Sequence, residues 1–375
     1  MYMTRRSFSR DYRIAVDAMG GDHAPLNPVE GTLMAGRDLP GELILVGPKK
    51  KISRLLALLR RVQKRTRATI TIVDAPETVS MNEPPAQAVK KLNSSIAVAA
   101  RLVREQRADA LVSAGNTGAV FGVSLLTLRK IPTVLRPAIT ALLPTKSKKP
   151  VVLLDVGANV DCKPQHLLQF AMMGTVFARE VLERANPRVG LLNIGEEEGK
   201  GNEQVKQTFD LLKKAPLNFG GNAEGKDILT GDFDVVVCDG FVGNVILKFG
   251  EGAADLVFSG IRHGIRRKPY TLPGAVLMGP VFRRFKREVD YSEYGGAPLL
   301  GLNGSVIIGH GRSTPKAIKN AILAATAMID HQLNAHLRRD METLAAWFKS
   351  LTPAAPSPPT PPYPNSNLIS MVNEG

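Results

Sequence analysis

The amino-acid sequence predicts an α/β protein with a mostly parallel sheet and helices on both faces. Short segments rich in Val, Ile and Leu alternate along the 375 residues with longer segments of helical apolar spacing. Aromatic residues make up only 5% of the chain, which is typical of a sheet built from aliphatic side chains. Glycine-rich polar segments follow several of the predicted strands, and we expect them to form the functional loops.

Each predicted element has its own signal in the sequence. Apolar runs predict strands at 13–16, 43–47, 70–73, 108–112, 151–154, 189–194, 233–238 and 304–308, with an extended segment at 133–143. Apolar residues at helical spacing predict helices at 52–64, 96–107, 119–128, 164–185, 204–214, 245–259 and 315–331. Ser94 and Ser95 supply an N-cap for the helix at 96–107, and Pro25 or Pro28 suits the first turn of an earlier helix.

The predicted domain organisation is a single α/β domain over residues 13–350. The basic leader 1–12 and the Pro-rich tail 351–375 have little apolar surface to bury, which predicts disorder in both. No segment contains the roughly 18–20 apolar residues that a membrane-spanning helix needs. No apolar stretch follows the N-terminal arginines, which argues against a secretory signal.

Positive charge is concentrated in a few segments of the chain. There are 49 Lys and Arg against 34 Asp and Glu, for a formal net charge of +15. Residues 48–67 hold nine Lys or Arg and residues 262–287 hold eight, with no acidic residue in either segment. Such local basicity predicts docking of an acidic partner and leaves nucleic acid, anionic lipid and an acidic carrier protein open. At 52–64 the basic residues are also explained by a solvated helix face.

Familiar cofactor and metal motifs are absent from the sequence. There is no P-loop, no dinucleotide-binding glycine pattern after the first strand and no serine-hydrolase elbow. Cys162 and Cys238 fit neither a zinc site nor a disulfide framework, so we interpret them as small buried residues in a reducing compartment. No metal and no cofactor is predicted.

The segment 113–118 is the clearest candidate for anion binding. It joins a buried strand to a helix through small residues, which leaves backbone N–H groups unpaired at the helix start. Asn116 adds an amide and Thr117 a hydroxyl. The segment is therefore expected to cradle phosphate or another oxyanion. Taken alone, the segment favours the simpler interpretation of a strand–helix turn that needs glycine, and the recurrence of such loops favours anion binding.

Similar polar loops follow five other predicted strands. They contain Asp22 and His23, Asn159, Lys200 and Asn202, Asn244, and His310. Ligands of parallel sheets bind beyond the carboxyl ends of the strands, so we expect these loops to converge on one cleft. Asn, Gly and Asp, with one Lys and one His, suit the positioning of an anion and the stabilisation of an oxyanion without a covalent enzyme intermediate.

Several motifs, in family order, resemble the phosphate acyltransferase (PlsX) family of bacterial phospholipid synthesis. They are Ile14–Asp22, Ser113–Ala119, Asp155–Asn159, Gly195–Glu197, Lys200–Asn202, Asp239–Asn244, Tyr294–Gly301 and Gly309–Ser313. The resemblance covers about residues 13–331. The basic leader and the Pro-rich tail depart from the family pattern, so nothing about their role follows from it.

The resemblance implies an acyl-ACP:phosphate acyltransferase, which moves a long fatty acyl group from a carrier thioester to inorganic phosphate. The product, an acyl phosphate, would be used by a glycerol-3-phosphate acyltransferase. The implied fold is similar to those of phosphotransacetylases and isopropylmalate dehydrogenases. The implied protein is a cytoplasmic homodimer at an anionic membrane surface, with acyl carrier protein and phosphate as partners and no nucleic acid.

The resemblance also implies roles for individual residues. The catalytic residues are expected to be Lys200, Asn244 and His310. Phosphate or substrate binding is expected from Asp17, Gly21, Asp22, His23, Gly115, Asn116, Thr117, Gly118, Asn159, Asn202 and Gly243. Lys200 and the loop N–H groups would hold phosphate, an Asn amide would donate to the thioester oxygen, and His310 would assist proton movement to the thiolate.

Simpler interpretations stay open for several of these side chains. His310 can be a histidine hydrogen-bonded to nearby backbone, and Lys200 can pair with the acidic residues at 196–198. Asp17 and Asp22 can shape their loop by local hydrogen bonds, and Asn159 can cap its helix.

The segment 258–288 is predicted to contact a membrane or a second subunit. Its basic clusters flank apolar residues, as expected of an element that lies in an anionic lipid interface. The candidate membrane-binding residues are Arg266, Arg267, Lys268, Val276, Leu277, Met278, Phe282, Arg283 and Arg284. A dimer-interface hairpin with solvated arginines is the alternative, and both roles can coexist.

Two other functions remain open at this level. One is a phosphate acetyl- or butyryltransferase that uses acyl-CoA, and the other is a non-catalytic adaptor for membranes or nucleic acid on the same fold. A glycerol-3-phosphate acyltransferase is disfavoured, because no His is followed five positions later by Asp.

Overall fold

The computed structural model describes residues 10–62, 66–289 and 295–351, in which strands and helices alternate. The strands are β1 (Tyr12–Asp17), β2 (Gly41–Gly47), β3 (Thr69–Asp74), β4 (Ala110–Ser113), β5 (Ala138–Leu143), β6 (Val151–Leu154), β7 (Val189–Leu192), β8 (Phe219–Ala223), β9 (Val235–Val237), β10 (Ala297–Leu300) and β11 (Ser305–Ile308). The helices are α1 (Leu26–Gly36), α2 (Lys49–Val62), α3 (Pro85–Ala88), α4 (Ser95–Arg104), α5 (Thr117–Leu128), α6 (Pro164–Glu180), α7 (Glu203–Lys214), α8 (Gly240–Arg267), α9 (Leu272–Leu277), α10 (Gly279–Val289), α11 (Pro315–Asp330) and α12 (Leu333–Leu351). Residues 1–9 of the predicted leader, the predicted tail from residue 352, Tyr294 and the predicted end of the 52–64 helix lie outside the described residues.

These strands form one continuous sheet in the order β3-β2-β1-β4-β11-β10-β5-β6-β9-β7-β8. The five strands from β3 to β11 are parallel to one another, and so are the four from β6 to β8. Only β10 and β5, in the middle of the sheet, pair antiparallel with their neighbours. The predicted mostly parallel sheet is confirmed.

Each face of the sheet carries its own hydrophobic core. Ile14 and Val16 of β1 belong to one cluster of buried side chains, and Ala15 between them belongs to the other. This alternation is the two-residue period of a strand. The first cluster takes its helical residues mainly from α1, α6, α11 and α12, and the second mainly from α4 and α5. Helices on both faces, as predicted, are therefore confirmed.

The antiparallel strands reverse the direction of the sheet, which divides the predicted loops into two groups. The carboxyl ends of β1, β4 and β11 lie at one end of the sheet, here called the first end. Those of β6, β7 and β9 lie at the opposite, second end, because β10 and β5 intervene. The prediction of one shared rim for all six loops is wrong. However, β10 has only four residues, so the two ends are about 10 Å apart there.

Two strands and several helices are absent from the prediction. β8 contains two glycines and β10 a proline, residues that are depleted in strands, so neither segment has a clear strand signal. α8 has 28 residues and extends well beyond the predicted 245–259 at both ends. The helices α2, α4, α5, α6, α7 and α11 overlap their predicted ranges, and α1 begins at Leu26, beside the predicted prolines. The helices α3, α9 and α10 lie outside every predicted helix, and α12 follows the predicted 315–331. The strand after β4 starts at Ala138 within the predicted extended segment.

Candidate functional site

Asp17 and Ser113 organise the loops at the first end of the sheet. The Ser113 hydroxyl donates to Asp17 Oδ2 at 2.6 Å, and the Met19 N–H donates to Asp17 Oδ1 at 3.0 Å. The Gly115 N–H donates to Ser113 Oγ at 3.1 Å. Burial raises the pKa of Asp17, and hydrogen bonds from Ser113 and Ser95 offset part of that rise. Both Asp17 and Gly115 are therefore used to build the loop, and we reassign them from phosphate binding to positioning.

Asn116 is also occupied by the fold. Its Oδ1 accepts the Ala119 N–H at 3.0 Å and caps α5, while its Nδ2 donates to the carbonyl oxygens of Met81 and Glu83 at 2.7 and 3.2 Å. No amide hydrogen is left for a substrate, so we reassign Asn116 to positioning. The N–H groups of Thr117 and Gly118 begin α5 and have no intrahelical acceptor, so they stay candidates for anion binding.

The loops after β1 and β11 meet beside this helix start. The Asp22 N–H donates to the Gly311 carbonyl at 2.8 Å, and the Gly309 N–H donates to the Ser113 carbonyl at 2.7 Å. Gly21 adopts a φ of +106°, a conformation that favours glycine, at the point where it approaches Gly311. The three predicted loops at the first end, including His23 and His310, therefore form one surface.

Asp155 is the equivalent centre at the second end of the sheet. Its buried carboxylate accepts four backbone N–H groups, those of Ile139, Gly157, Ala158 and Asn159, at 2.6 to 3.3 Å. The Asn159 Nδ2 donates to Asp155 Oδ2 at 2.9 Å and to the Pro137 carbonyl at 2.8 Å. Both amide hydrogens of Asn159 are thus used inside the protein, and we reassign this residue from phosphate binding to positioning. Burial raises the pKa of Asp155 despite these donors.

The start of α8 packs directly on the Asp155 loop. Asp239 caps the helix by accepting the Val242 N–H at 2.8 Å. A Cβ atom on Gly243 would clash with the Asp155 carbonyl oxygen, so glycine is needed for this close approach rather than for phosphate. Asn244 is exposed one position later and faces Gly157.

From there α8 reaches the first end of the sheet and joins the two groups of loops. Lys248 Nζ lies 3.5 Å from His310 Nε2 and 2.9 Å from Glu251 Oε2. The Arg312 N–H donates to His310 Nδ1 at 3.1 Å. Burial and the Lys248 cation lower the pKa of His310. Sequence reasoning missed Lys248 and Glu251, although their positions four and seven residues after Asn244 place all three on one helix face.

Lys200 and Asn202 lie on the other side of α8. Val242 and Ile246, about 160° around the helix from Asn244, line a cavity of about 330 Å³ that Asn202 also borders. The rest of its lining is mainly apolar and includes Leu167, Leu191, Leu192, Ile194 and Val205. Lys200 is exposed next to this cavity, and its carbonyl accepts the Asn193 side chain at 3.0 Å. The predicted catalytic residues therefore divide into Asn244 with His310 on one side and Lys200 on the other.

Glu196 and Glu198 do not form the salt bridge with Lys200 that the simpler interpretation of this lysine requires. In the described part of the chain Glu196 pairs with Lys226 at 3.3 Å and Glu198 with Lys213 at 3.0 Å, and neither pairs with Lys200. Asn202 accepts the Val205 N–H at 2.9 Å and so caps α7.

The two cysteines have no reactive character in this environment. Cys238 is buried, and burial raises the pKa of its thiol well above the ordinary value. Burial also raises the pKa of Cys162 to about 12. Neither thiol is suited to act as a nucleophile near neutral pH.

Comparison with known proteins gives the family. A family model described as "Fatty acid synthesis protein" matches residues 12–336. The phosphate acyltransferase of Aquifex aeolicus is 50% identical over 332 residues, which cover 88% of this chain and 97% of that protein. That of Desulfitobacterium hafniense is 50% identical over 336 residues, which cover 89% and 99%.

A solved structure of similar fold is the EutD phosphotransacetylase from Staphylococcus aureus. It has a TM-score of 0.55 and 16% identity, and the match covers 85% of this chain and 94% of that one. A phosphotransacetylase from Streptococcus pyogenes aligns with a TM-score of 0.54 at 18% identity. These likenesses confirm the phosphotransacetylase-like fold. The sequence identity to the curated relatives across nearly their whole length establishes that this chain belongs to the phosphate acyltransferase family.

Proposed function

We propose that this chain transfers a long-chain fatty acyl group from acyl-ACP to inorganic phosphate and releases acyl phosphate. The observation that carries the proposal is its family membership at about 50% identity over most of the chain. A second support is that Asn244, His310 and the start of α5 present N–H donors, while burial raises the pKa of both cysteine thiols. Such a site suits direct attack by phosphate.

In the proposed reaction, an unprotonated oxygen of HPO₄²⁻ attacks the thioester carbon. The new O–C bond forms, the C–S bond breaks, and the proton carried by the phosphate passes to the departing thiolate. Asn244 donates to the thioester oxygen as it gains negative charge. Because Nδ1 accepts the Arg312 N–H, neutral His310 carries its proton on Nε2 and acts as a hydrogen-bond donor, rather than the proton carrier first expected.

Lys200 is proposed to act on the acyl donor. It is exposed beside the apolar cavity, on the side of α8 away from His310. An exposed cation at that place can attract the acidic carrier, and the apolar lining can accept part of the acyl chain. Lys200 is therefore assigned to donor binding rather than to phosphate.

The donor distinguishes this function from its alternatives. Purified protein is expected to form hydroxylamine-trappable acyl phosphate from phosphate and palmitoyl-ACP, but none from acetyl-CoA. Activity with acetyl-CoA or butyryl-CoA alone would favour the acyl-CoA enzyme. Salt-sensitive binding to DNA or vesicles without any phosphate-dependent thiol release would favour a non-catalytic adaptor.

We propose that the segment from α8 to α10 attaches the protein to an anionic membrane surface from the cytoplasmic side. Among the described helices, none combines the length and apolar composition that crossing a bilayer requires. Exposed Val276, Leu277 and Met278 lie between two basic clusters, Arg266–Lys268 and Arg283–Arg284, while Phe282 is partly buried. This arrangement supports interfacial binding, where apolar side chains insert and cations contact lipid headgroups.

Charge reversal at the end of α8 tests this attachment. The double variant Arg266→Glu with Arg267→Glu is expected to bind vesicles rich in phosphatidylglycerol about 30-fold more weakly or worse, since each cation contributes about 1 kcal/mol. Lys49→Glu with Lys50→Glu on α2 makes the same charge change and should bind normally. Cosedimentation measures both, and equal loss in the two double variants would contradict a specific membrane element.

The same helix is proposed to form a homodimer. Phe241, Val245, Phe249 and Leu256 of α8 are 53 to 76% exposed, an unusually apolar surface for a solvated helix. A second copy of the chain packed along α8 would cover them. Sedimentation equilibrium that finds only monomer at micromolar concentration would contradict this. The acyl phosphate released at such a membrane surface would be available to a glycerol-3-phosphate acyltransferase.

A further inference from the structure

Three cations lie together at the second end of the sheet, beside the loop after β6. Lys130 follows α5, Arg136 precedes β5 and Lys163 precedes α6, and all three residues are exposed. Within the described part of the chain, none of the three forms an ion pair with a carboxylate. These residues, here called the cationic patch, have no role in the mechanism above.

Hydrogen bonds from α6 and from the loop after β6 hold the segment that carries Arg136. Gln169 of α6 accepts the Leu135 N–H at 2.7 Å, one residue before Arg136. Asn159 donates to the Pro137 carbonyl at 2.8 Å, one residue after it. The backbone on both sides of Arg136 is therefore fixed, so a partner that pairs with this cation does not have to order a loop.

The buried ring of His166 lies among the three cations. The Lys163 N–H donates to its Nδ1 at 3.1 Å, and Lys130 Nζ donates to the Leu135 carbonyl at 3.1 Å. Burial lowers the pKa of His166, and the three charges of the cationic patch lower it further. The cations are therefore close enough to one ring to act on it together.

The surface around the cationic patch suits an acidic protein partner. Residues 129–137 and 157–166 hold four Lys or Arg against one acidic residue, Asp161. Leu135 and Val160 are exposed in the same two segments. Exposed apolar side chains with cations around them are typical of a protein interface, where the cations steer an acidic partner into contact.

The cationic patch lies away from the proposed membrane segment. The Gly240 N–H at the start of α8 donates to the Asn159 carbonyl at 2.7 Å, so this helix begins beside the loop after β6. It passes His310 at Lys248, and Arg267 follows 19 residues later, about 28 Å further along the helix axis. A protein bound to lipid through that end of α8 keeps the cationic patch free for a partner in solution.

We propose that the cationic patch is the docking surface for the acidic carrier protein that delivers the acyl group. This inference rests on the proposed function and adds the binding surface of the carrier to it. A carrier on the cationic patch lies beside the loop of Gly157, which Asn244 faces, so its thioester can reach the proposed donor to the thioester oxygen. The apolar cavity and Lys200 lie at the same end of the sheet, where the acyl chain would enter.

The test compares two double variants of the full-length protein, Arg136→Glu with Lys163→Glu and Lys49→Glu with Lys50→Glu. Both make the same charge change, and Lys49 and Lys50 are exposed on α2, which follows β2 near the β3 edge of the sheet. Binding of holo-ACP is measured by calorimetry at low and at physiological salt. KM is measured separately for acyl-ACP and for phosphate.

Arg136→Glu with Lys163→Glu is expected to raise the Kd for holo-ACP and the KM for acyl-ACP about 10- to 30-fold at low salt, because each reversal replaces an attraction with a repulsion. The difference should shrink as the salt concentration rises. The KM for phosphate should change less than about twofold, and the α2 variant should match the wild type.

The neutral double variant Arg136→Gln with Lys163→Gln keeps the test valid if charge reversal unfolds the protein, which thermal unfolding checks. It removes the attraction without adding repulsion, so it should raise the same two constants about threefold. Equal weakening of holo-ACP binding by the α2 variant would contradict a specific docking surface. Loss of vesicle binding with unchanged holo-ACP binding would overturn the proposal in favour of a lipid surface.

Two results separate this inference from the function on which it rests. If acyl phosphate forms normally but both double variants of the cationic patch keep the wild-type KM for acyl-ACP, the docking surface is wrong and the function stands. If holo-ACP binds through the cationic patch but no donor yields acyl phosphate, the surface stands and the function is wrong.

Discussion

Asp155→Ala is expected to lower the free energy of unfolding by about 3–5 kcal/mol, because it leaves several buried donors without an acceptor. The carboxylate accepts four backbone N–H groups and the Asn159 amide, and it is fully buried. Chemical unfolding followed by circular dichroism measures the loss. Activity should fall with it, since α8 begins against this loop.

Asp239→Ala is the matched control for that variant. Asp239 also follows a strand at the second end of the sheet, but its carboxylate only caps α8 through the Val242 N–H. Its loss is expected to cost about 1 kcal/mol. Equal destabilisation by the two variants would contradict the central role of Asp155.

Asp155 also has a predictable effect on how the free energy of unfolding depends on pH. Its pKa is raised in the folded protein, so the protonated form is favoured there relative to the unfolded chain. Its contribution to stability is therefore full below the unfolded value of about 3.9 and decreases as the pH rises through the folded pKa. The pKa of Asp17 is raised as well. Asp155→Ala should therefore reduce the decrease of the free energy of unfolding with rising pH, without abolishing it.

His310→Ala is expected to lower kcat about 100-fold, whereas Lys200→Ala should leave kcat within about threefold of the wild type. His310 Nε2 is a donor beside Lys248, and loss of one donor at a reacting oxyanion has an effect of this order. Lys200 is on the opposite side of α8, next to the apolar cavity, so its loss should mainly raise the KM for acyl-ACP. Steady-state kinetics with both substrates varied measure the difference.

His336→Ala is the control for the loss of a histidine, because His336 lies on α12, outside the polar loops, and pairs with Glu180. It should keep most of the activity. A large fall in kcat for Lys200→Ala would show that the two sides of α8 do not have separate roles, and near-normal turnover of His310→Ala would remove this residue from the site.

The loops of the candidate site illustrate what a residue pattern can predict. The positions of the polar loops after β1, β4, β6, β7, β9 and β11 follow from the alternation of apolar and glycine-rich segments. The roles of the asparagines in these loops do not follow from this alternation. An amide side chain can cap a helix, hydrogen-bond one loop to another or donate to a substrate. Asn116 and Asn159 have their hydrogens bound inside the protein, and Asn244 is exposed.

Lys248 and Glu251 show the opposite case. They lie in the middle of a helix rather than in a loop, and a lysine four residues after an asparagine is common on any solvated helix face. Their surroundings are set by a tertiary contact, because Lys248 Nζ lies 3.5 Å from Nε2 of His310, a residue 62 positions later in the chain. No local pattern contains that contact.

By itself, the sequence determined the α/β class, the order of most elements, the family and the loops that carry polar groups, because each depends on local periodicity or motif. Only the tertiary structure decided which of those loops meet. β10 and β5 pair antiparallel with each other and with their outer neighbours, β11 and β6. These three consecutive antiparallel pairings reverse the sheet, so the loops after β6, β7 and β9 open at the opposite end. Strand direction is a property of pairing between distant segments, and α8 joins the two ends through the contact of Lys248 with His310.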